Sequence, residues 1–249
     1  MLTRLDHLVI LVHDLELARA DYESLGFTVT PGGEHADGLT HNALVPFEDG
    51  SYLELVSFLD PDDPTDNFWG WRGFLPHEGL IDHCAASDDL DSDTGRLESL
   101  GFSVDGPDDG GRRLPDGEEI RWRNARIRQG GRLLPFLIED LTPRKLRVPG
   151  GAAAGHPNGA TGVSRLEISA PDVTQAVSPL SALADTTSDV DTPVRLGACV
   201  LSPVAMEMGD LKGPGPSAVE LVGAEPGGSR KLDPVLAHGA CIRLRSSSG

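Results

Sequence analysis

The chain opens on an apolar run, "LDHLVILV", that reads as a buried strand of about seven residues. The period then lengthens: in "DLELARADYESLGF" Leu15, Ala18, Tyr22 and Leu25 share one face of a helix, with Asp14 placed to cap its start and Gly26 its end. Three strand-like runs follow, "FTVTPGG", "THNALVPF" and "SYLELVSF", the last two joined by a hairpin signal, "EDG". The order is βαβββ. From Leu80 it recurs: "IDHCAAS", then the helical "DLDSDTGRLESLGF", then "FSVDG", "EIRWRNARIRQ" and "RLLPFLIED". Aligning "HNALV" with "RNARI" pairs Asn42 with Asn124, Ala43 with Ala125 and, without a gap, Glu54 with Phe136. A Pro- and Gly-rich stretch separates these copies from a worn third one, "VSRLEISAPDVTQAVSPLSALA", where Ala170-Pro171-Asp172 matches Val12-His13-Asp14 and the run around Glu220 matches that around Glu54. Pro179 predicts a shortened or kinked helix there.

The division expected is a first module over 1–78, a second over 79–148, a linker over 149–162, and a degenerate third module with a C-terminal strand over 163–249. Units of this kind are complete small α/β modules, and a pair of them closes one curved sheet around a concave cleft. The expected class is α+β.

Strand parity then places chemistry. His7 shares a face with Val9 and Leu11, and His83 holds the matching place in the second module. If both face one cleft, two imidazoles meet Glu54, which needs a partner inside its apolar "YLELV". Such a set suits Fe(II), Mn(II), Ni(II) or Zn(II) with positions left for a substrate. The competing reading makes each histidine a hydrogen-bonded core residue.

The modules resemble the vicinal oxygen chelate superfamily, which includes glyoxalase I, extradiol dioxygenases, methylmalonyl-CoA epimerase and antibiotic-resistance proteins. More narrowly, "THNALVPFEDGSYLELV", "LPFLIEDLTPRKLRVP" and "HPNGATGV" resemble the glyoxalase-like domain family, over about Leu2 to Ala224. The resemblance implies paired βαβββ modules with a divalent metal on His7, Glu54 and His83. Phe136 stands where a fourth ligand is expected, Glu139 has the opposite parity, and Arg165 stands at the histidine position of the third copy. It also implies either lyase, isomerase or ring-cleaving dioxygenase chemistry on a small oxygen-chelating metabolite, or metal-free sequestration of an aromatic metabolite or antibiotic.

Further candidates are His41 as a proton shuttle, and Asn42, Trp69, Trp71, Arg123 and Phe136 as substrate contacts. Cys84 follows His83 and is expected to point away from the cleft. The balance of 39 Asp plus Glu against 21 Lys plus Arg, net charge −18, disfavours nucleic acid and anionic membranes. Part of it lies in "DPDDPTD" and "DGPDDGG", read as solvated loops. Three cysteines without CxxC spacing argue against a disulfide framework, and no leader or membrane span is evident. The expectation is a cytoplasmic protein with a small-molecule partner, able to pair with a second copy of itself.

Overall fold

A computed structural model of the chain describes residues 2–113, 118–184, 193–207, 212–223 and 228–246. The elements are β1 (Leu2–Leu11), α1 (Leu15–Ser24), β2 (Thr30–Glu34), β3 (Thr40–Pro46), β4 (Tyr52–Phe58), β5 (Gly79–Ser87), α2 (Leu90–Ser99), β6 (Val104–Arg113), β7 (Glu119–Ile127), β8 (Phe136–Asp140), α3 (Arg144–Arg147), β9 (Ala160–Ala170), α4 (Val173–Leu183), β10 (Val194–Leu196), β11 (Cys199–Ala205), β12 (Gly215–Gly223), β13 (Ser229–Lys231) and β14 (Ile242–Ser246). The helices start and stop on local signals. Asp14 accepts hydrogen bonds from Glu16 N and Leu17 N, both at 3.0 Å, and Asp89 does the same for Ser92 N. Gly26 and Gly101, at φ +87° and +91°, supply the left-handed turn after α1 and α2 that a β-carbon would strain.

Among the described residues the strands form two sheets, in the orders β2-β3-β4-β1-β5-β8-β7-β6 and β10-β11-β9-β12-β14-β13. The central four of each repeat one pattern: parallel β1/β4, antiparallel β1/β5 and parallel β5/β8 correspond to parallel β9/β11, antiparallel β9/β12 and parallel β12/β14. The second sheet thus repeats, with fewer strands, the pairing pattern at the centre of the first. Its β12, which carries Glu220, corresponds to β5 and not to β4. The strand β9 begins at Ala160, inside the expected linker, and α4 runs eleven residues through Pro179. The acidic "DGPDDGG" is part of β6 rather than a loop, because its residues pair with Gly-tolerant register along β7.

The two sheets pack back to back. Leu8 and Ile10 of β1, Val12 just beyond it, Leu15, Ala18 and Tyr22 of α1, and Leu166, Ile168, Val219, Leu221 and Leu244 of the second sheet belong to one buried core. Val9, Leu11, Val56, Phe58, Cys84, Phe136 and Ile138 instead form a smaller cluster on the outer face of the first sheet, under Trp71. The first sheet curls until its edge strands β2 and β6 touch, which makes that outer face a cleft.

Candidate functional site

The cleft holds a cavity of about 280 Å³ lined by His7, His35, Asn42, Tyr52, Glu54, Trp69, Trp71, Arg112, Trp122, Phe136 and Arg147, among others. Its floor is built from strand parity and one bulge. Leu5 pairs with Ala85 and His7 with Cys84, so Asp6 is an extra residue on β1. The bulge puts Asp6 beside its neighbour, with Asp6 Oδ1 2.8 Å from His7 Nδ1. That contact fixes the imidazole so that Nε2 faces Glu54 Oε2 at 3.3 Å. The other oxygen of Glu54 accepts from Asn42 Nδ2 at 2.5 Å and lies 3.3 Å from His35 Nε2. The Nδ1 of His35 is in turn 2.7 Å from Thr40 Oγ1.

Behind this row sits a buried ionic network. Arg147 donates to Asp6 Oδ1 at 3.0 Å, to Asp140 Oδ1 at 2.5 Å and to the Tyr52 hydroxyl at 2.8 Å, while Arg144 pairs with Asp6. Burial alone would push the Asp6 carboxyl up, but Arg147, the His7 hydrogen bond and Arg144 hold it well below the usual carboxylate range. Glu54 behaves alike: burial opposes its charge, and the bonds from His35 and His7 hold it well below that range. For His7 burial favours the neutral ring, yet the bonds to Asp6 and Glu54 raise its pKa. Asp6, His7 and Cys84 also bring ligand atoms within 4.8 Å of one another. Asp6 is already neutralised there by two arginines, and burial pushes the Cys84 thiol well up, so this trio orients His7 rather than offering a cation site.

Of the residues expected from the sequence, the structure brings His7, Glu54, Asn42, Trp69, Trp71 and Phe136 to the cavity. Trp69 packs on Phe136 at 4.2 Å between ring centroids, and Phe136 meets His7 edge-on at 5.3 Å. The structure does not bring His83 there. It pairs with Leu8, on the face turned into the core; both ring nitrogens are buried without a hydrogen-bond partner, and burial, with Arg132 and His7 nearby, pushes its pKa down to about 3. The pleat explains the difference. His7 pairs with Cys84 and Val9 with Asp82, so a twofold exchange of the strands relates His7 to Asp82, Val9 to Cys84 and Leu8 to His83. The matching Asp-His pairs are one residue out of step. Asp82 is the outward-facing residue, bonded by Trp71 Nε1 at 2.9 Å, and burial pushes its carboxyl up to about 6. Cys84 for the same reason faces the cleft side, contrary to expectation.

His41 also lies off the cavity, since its neighbour Asn42 takes the inward parity. Arg123 is spent on Glu139, at 2.5 Å, and Asp91, at 2.9 Å, away from the cavity. His35 and Arg112 were not anticipated. His35 stands just past β2, and the pairing of Gly33 with Asn42 and Glu34 with His41 carries it alongside Glu54; that hairpin register was the signal available. The close approach requires Gly32, where a β-carbon would lie 1.8 Å from Asn42 Oδ1.

Two imidazoles and one carboxylate therefore line the cavity, with His35 in the part expected of His83. The donor types suit a borderline divalent ion, and His7 Nε2 and Glu54 Oε2, 3.3 Å apart, would be the atoms to hold it. The Asp6–His7 contact is the outer-shell bond that metal-binding imidazoles use.

The model of the glyoxalase-like domain matches residues 5–184. The chain belongs to that family. Its fold is that of the vicinal oxygen chelate superfamily. The glyoxalase-like chain is similar to a hypothetical protein from Staphylococcus aureus, with TM-score 0.74 and 15% identity over 98% of this chain and 99% of that one. It is also similar to a xylose isomerase-like TIM barrel/4-hydroxyphenylpyruvate dioxygenase fusion protein, with TM-score 0.55 and 16% identity over 91% of this chain and 37% of the fusion. A Streptomyces coelicolor methylmalonyl-CoA epimerase variant in complex with 2-nitronate-propionyl-CoA matches 57% of this chain and 100% of its own length, at TM-score 0.42 and 23% identity. No curated protein matches the chain. Among the described residues no helix is long and apolar enough to cross a membrane.

Proposed function

We propose that the cavity is the active site of a metal-assisted lyase or isomerase acting on a small oxygen-bearing metabolite. One observation carries the reading: a buried carboxylate, Glu54, has an imidazole nitrogen 3.3 Å from each of its two oxygens, at the floor of a cavity walled by aromatic rings. His7 and Glu54 would hold the ion, with His35 the third donor. A bound divalent ion supplies Lewis-acid stabilisation of negative charge on a substrate oxygen. The protein's own residues do the rest. Asp6 keeps the proton of His7 on Nδ1, leaving Nε2 as a donor of electrons to the site. Thr40, hydrogen-bonded to His35 Nδ1, turns the other ring nitrogen of His35 toward Glu54 and the cavity. Trp69 and Phe136 exclude water from one wall.

Elemental analysis after chelation and reconstitution with Fe(II), Mn(II), Ni(II) or Zn(II) tests the reading. About one ion per chain is expected, lost in His7→Ala and Glu54→Gln and retained in His83→Leu. A wild-type chain that takes up none of the four ions overturns it. The second reading, sequestration of an aromatic ligand without metal, draws support from the full hydrogen bonding of Glu54 by Asn42 and the two imidazoles. An aromatic ligand quenching tryptophan fluorescence equally in chelated and reconstituted protein would favour it.

A further inference from the structure

Arg112, on the edge strand β6, lines the cavity and is only 8% exposed. One of its Nη atoms donates to Arg147 O at 2.9 Å and the other reaches Asn42 Oδ1 at 3.5 Å, while the buried Nε–H has no acceptor. No carboxylate of the described residues forms an ion pair with it; the charged carboxylate that it senses is Glu54, across the cavity. Its neighbours differ: Arg144 and Arg147 both pair with Asp6 and Asp140. A buried guanidinium without a counter-ion is costly, and a well-evolved fold keeps one where a ligand brings the missing charge. The same cavity holds a second orphan, the buried Asn124 Oδ1.

Three features define the missing anion. Arg147 is saturated by Asp6, Asp140 and Tyr52, so one guanidinium is left to recognise one planar, singly charged group. Asp37, Asp108 and Asp109 line the same cavity and oppose polyanions such as phosphate esters. Trp69, Trp122 and Phe136 offer apolar faces for the remainder of the ligand. Asn42 connects this end to the chemistry, since it touches Arg112 through Oδ1 and Glu54 through Nδ2 at 2.5 Å.

We propose that Arg112 anchors the carboxylate of the substrate, and that the cavity takes a small monocarboxylate with an aromatic body, its carboxylate on Arg112 and the adjoining carbon turned toward Glu54. The proposal rests on reading the cavity as the active site.

Wild type and Arg112→Gln are titrated with benzoate, phenylacetate and 3-phenylpropanoate and with the three corresponding primary amides. Tryptophan fluorescence and Tm report binding, on chelated and on metal-reconstituted protein. At least one acid is expected to bind about 10- to 100-fold more tightly than its amide. Arg112→Gln erases that preference, and His7→Ala keeps it. Acids and amides bound alike, no acid bound at millimolar concentration, or a preference surviving in Arg112→Gln would overturn the proposal. Arg112→Met gives a second arm that needs no ligand. Removing an uncompensated buried charge is expected to raise the Tm of the free protein by about 2–4 °C; a lower Tm would make Arg112 a structural bracket and sink the idea. Acid preference that depends on Arg112 in a chain taking up no metal would separate failure of the metal reading from failure of this one.

Discussion

The two outward faces of the molecule share a strand pattern and differ in what they carry. Matching Val12-His13-Asp14 to Ala170-Pro171-Asp172 places Arg165 where His7 stands, and the ladders β1/β4 and β9/β11 then place Ser202 where Glu54 stands. Arg165 Nη1 donates to Ser202 Oγ at 2.5 Å, so the second sheet keeps a polar contact at these positions but not the imidazole or the carboxylate. A hollow beside it, about 970 Å³, is lined by polar groups such as Glu167, Ser169, Ser217 and Arg243, together with His13 and Glu78, and lacks the aromatic wall of the first cleft. A curved sheet alone does not make a site. The second sheet even repeats the bulge, at Ser164 of β9; what distinguishes the first face is the carboxylate that its bulge carries at Asp6, the arginine pair behind it, and the closure of β2 onto β6.

The largest difference expected on mutation follows from burial. Arg147→Ala leaves Asp6 charged and buried with only Arg144 and the more distant Arg4 beside it, and should cost about 3–5 kcal/mol in denaturant unfolding. Recovery of near wild-type stability would mean that the network is not what supports the first face.

His83→Leu should stabilise the chain by about 1–3 kcal/mol, because it removes two unsatisfied nitrogens from the core. The pH dependence has a definite sign. With a folded pKa near 3 against about 6.5 when unfolded, His83 takes up its proton first in the unfolded chain, so stability is complete above pH 6.5 and drains as pH falls toward 3. The gain in Tm should therefore be larger at pH 5 than at pH 7.5. Asp82 slopes the other way: its folded value of about 6 lies above the unfolded 3.8, so its favourable contribution is present at low pH and lost as pH rises through 6. Asp82→Asn should thus help more at pH 8 than at pH 5. Parallel pH–Tm curves for wild type and either variant would contradict these assignments.

Gly32→Ala sharpens the comparison at smaller cost. Its β-carbon would press on Asn42 and move it from Glu54, with a loss of about 1–3 kcal/mol in stability and weakened ligand binding, measured by Tm and fluorescence titration. The smallest effect should come from the second face. Arg243→Ala removes a partly exposed pair with Glu167, 2.8 Å apart, and should change unfolding by about 0–1 kcal/mol.

Much of the first sheet was legible in the sequence because its signals are local: the caps at Asp14 and Asp89, the glycine stops, and the alternation of β3 and β4. His7 was placed by parity within β1 and Glu54 and Phe136 by the register of the repeat, while His41 and Asn42 were both candidates until the pairing of β3 with β4 put Asn42 on the cleft side. His83 could not be placed in this way, because two similar letters in a row look alike in either frame, and only the pairing of His7 with Cys84 shows which frame the pleat uses. His35 and Arg112 depend on hairpin register and on the curling of distant edges, which local patterns do not encode. In the second sheet the sequence signals reach only a worn module and a C-terminal strand, because β10 and β13 are three residues each and too short for a period to show.

The edge strands that close the cleft carry one more consequence. β2 reads TPGGE and β6 reads VDGPDDGGRR, and they are the two free margins of the eight-stranded sheet. Pro31 and Pro107 have no amide hydrogen to offer an incoming strand, the glycines disfavour a flat extended ribbon, and Asp108 and Asp109 repel a second copy. The stretches least like strands in composition are thus the ones that offer an incoming strand the poorest template, which works against growth of the half-barrel edge upon edge.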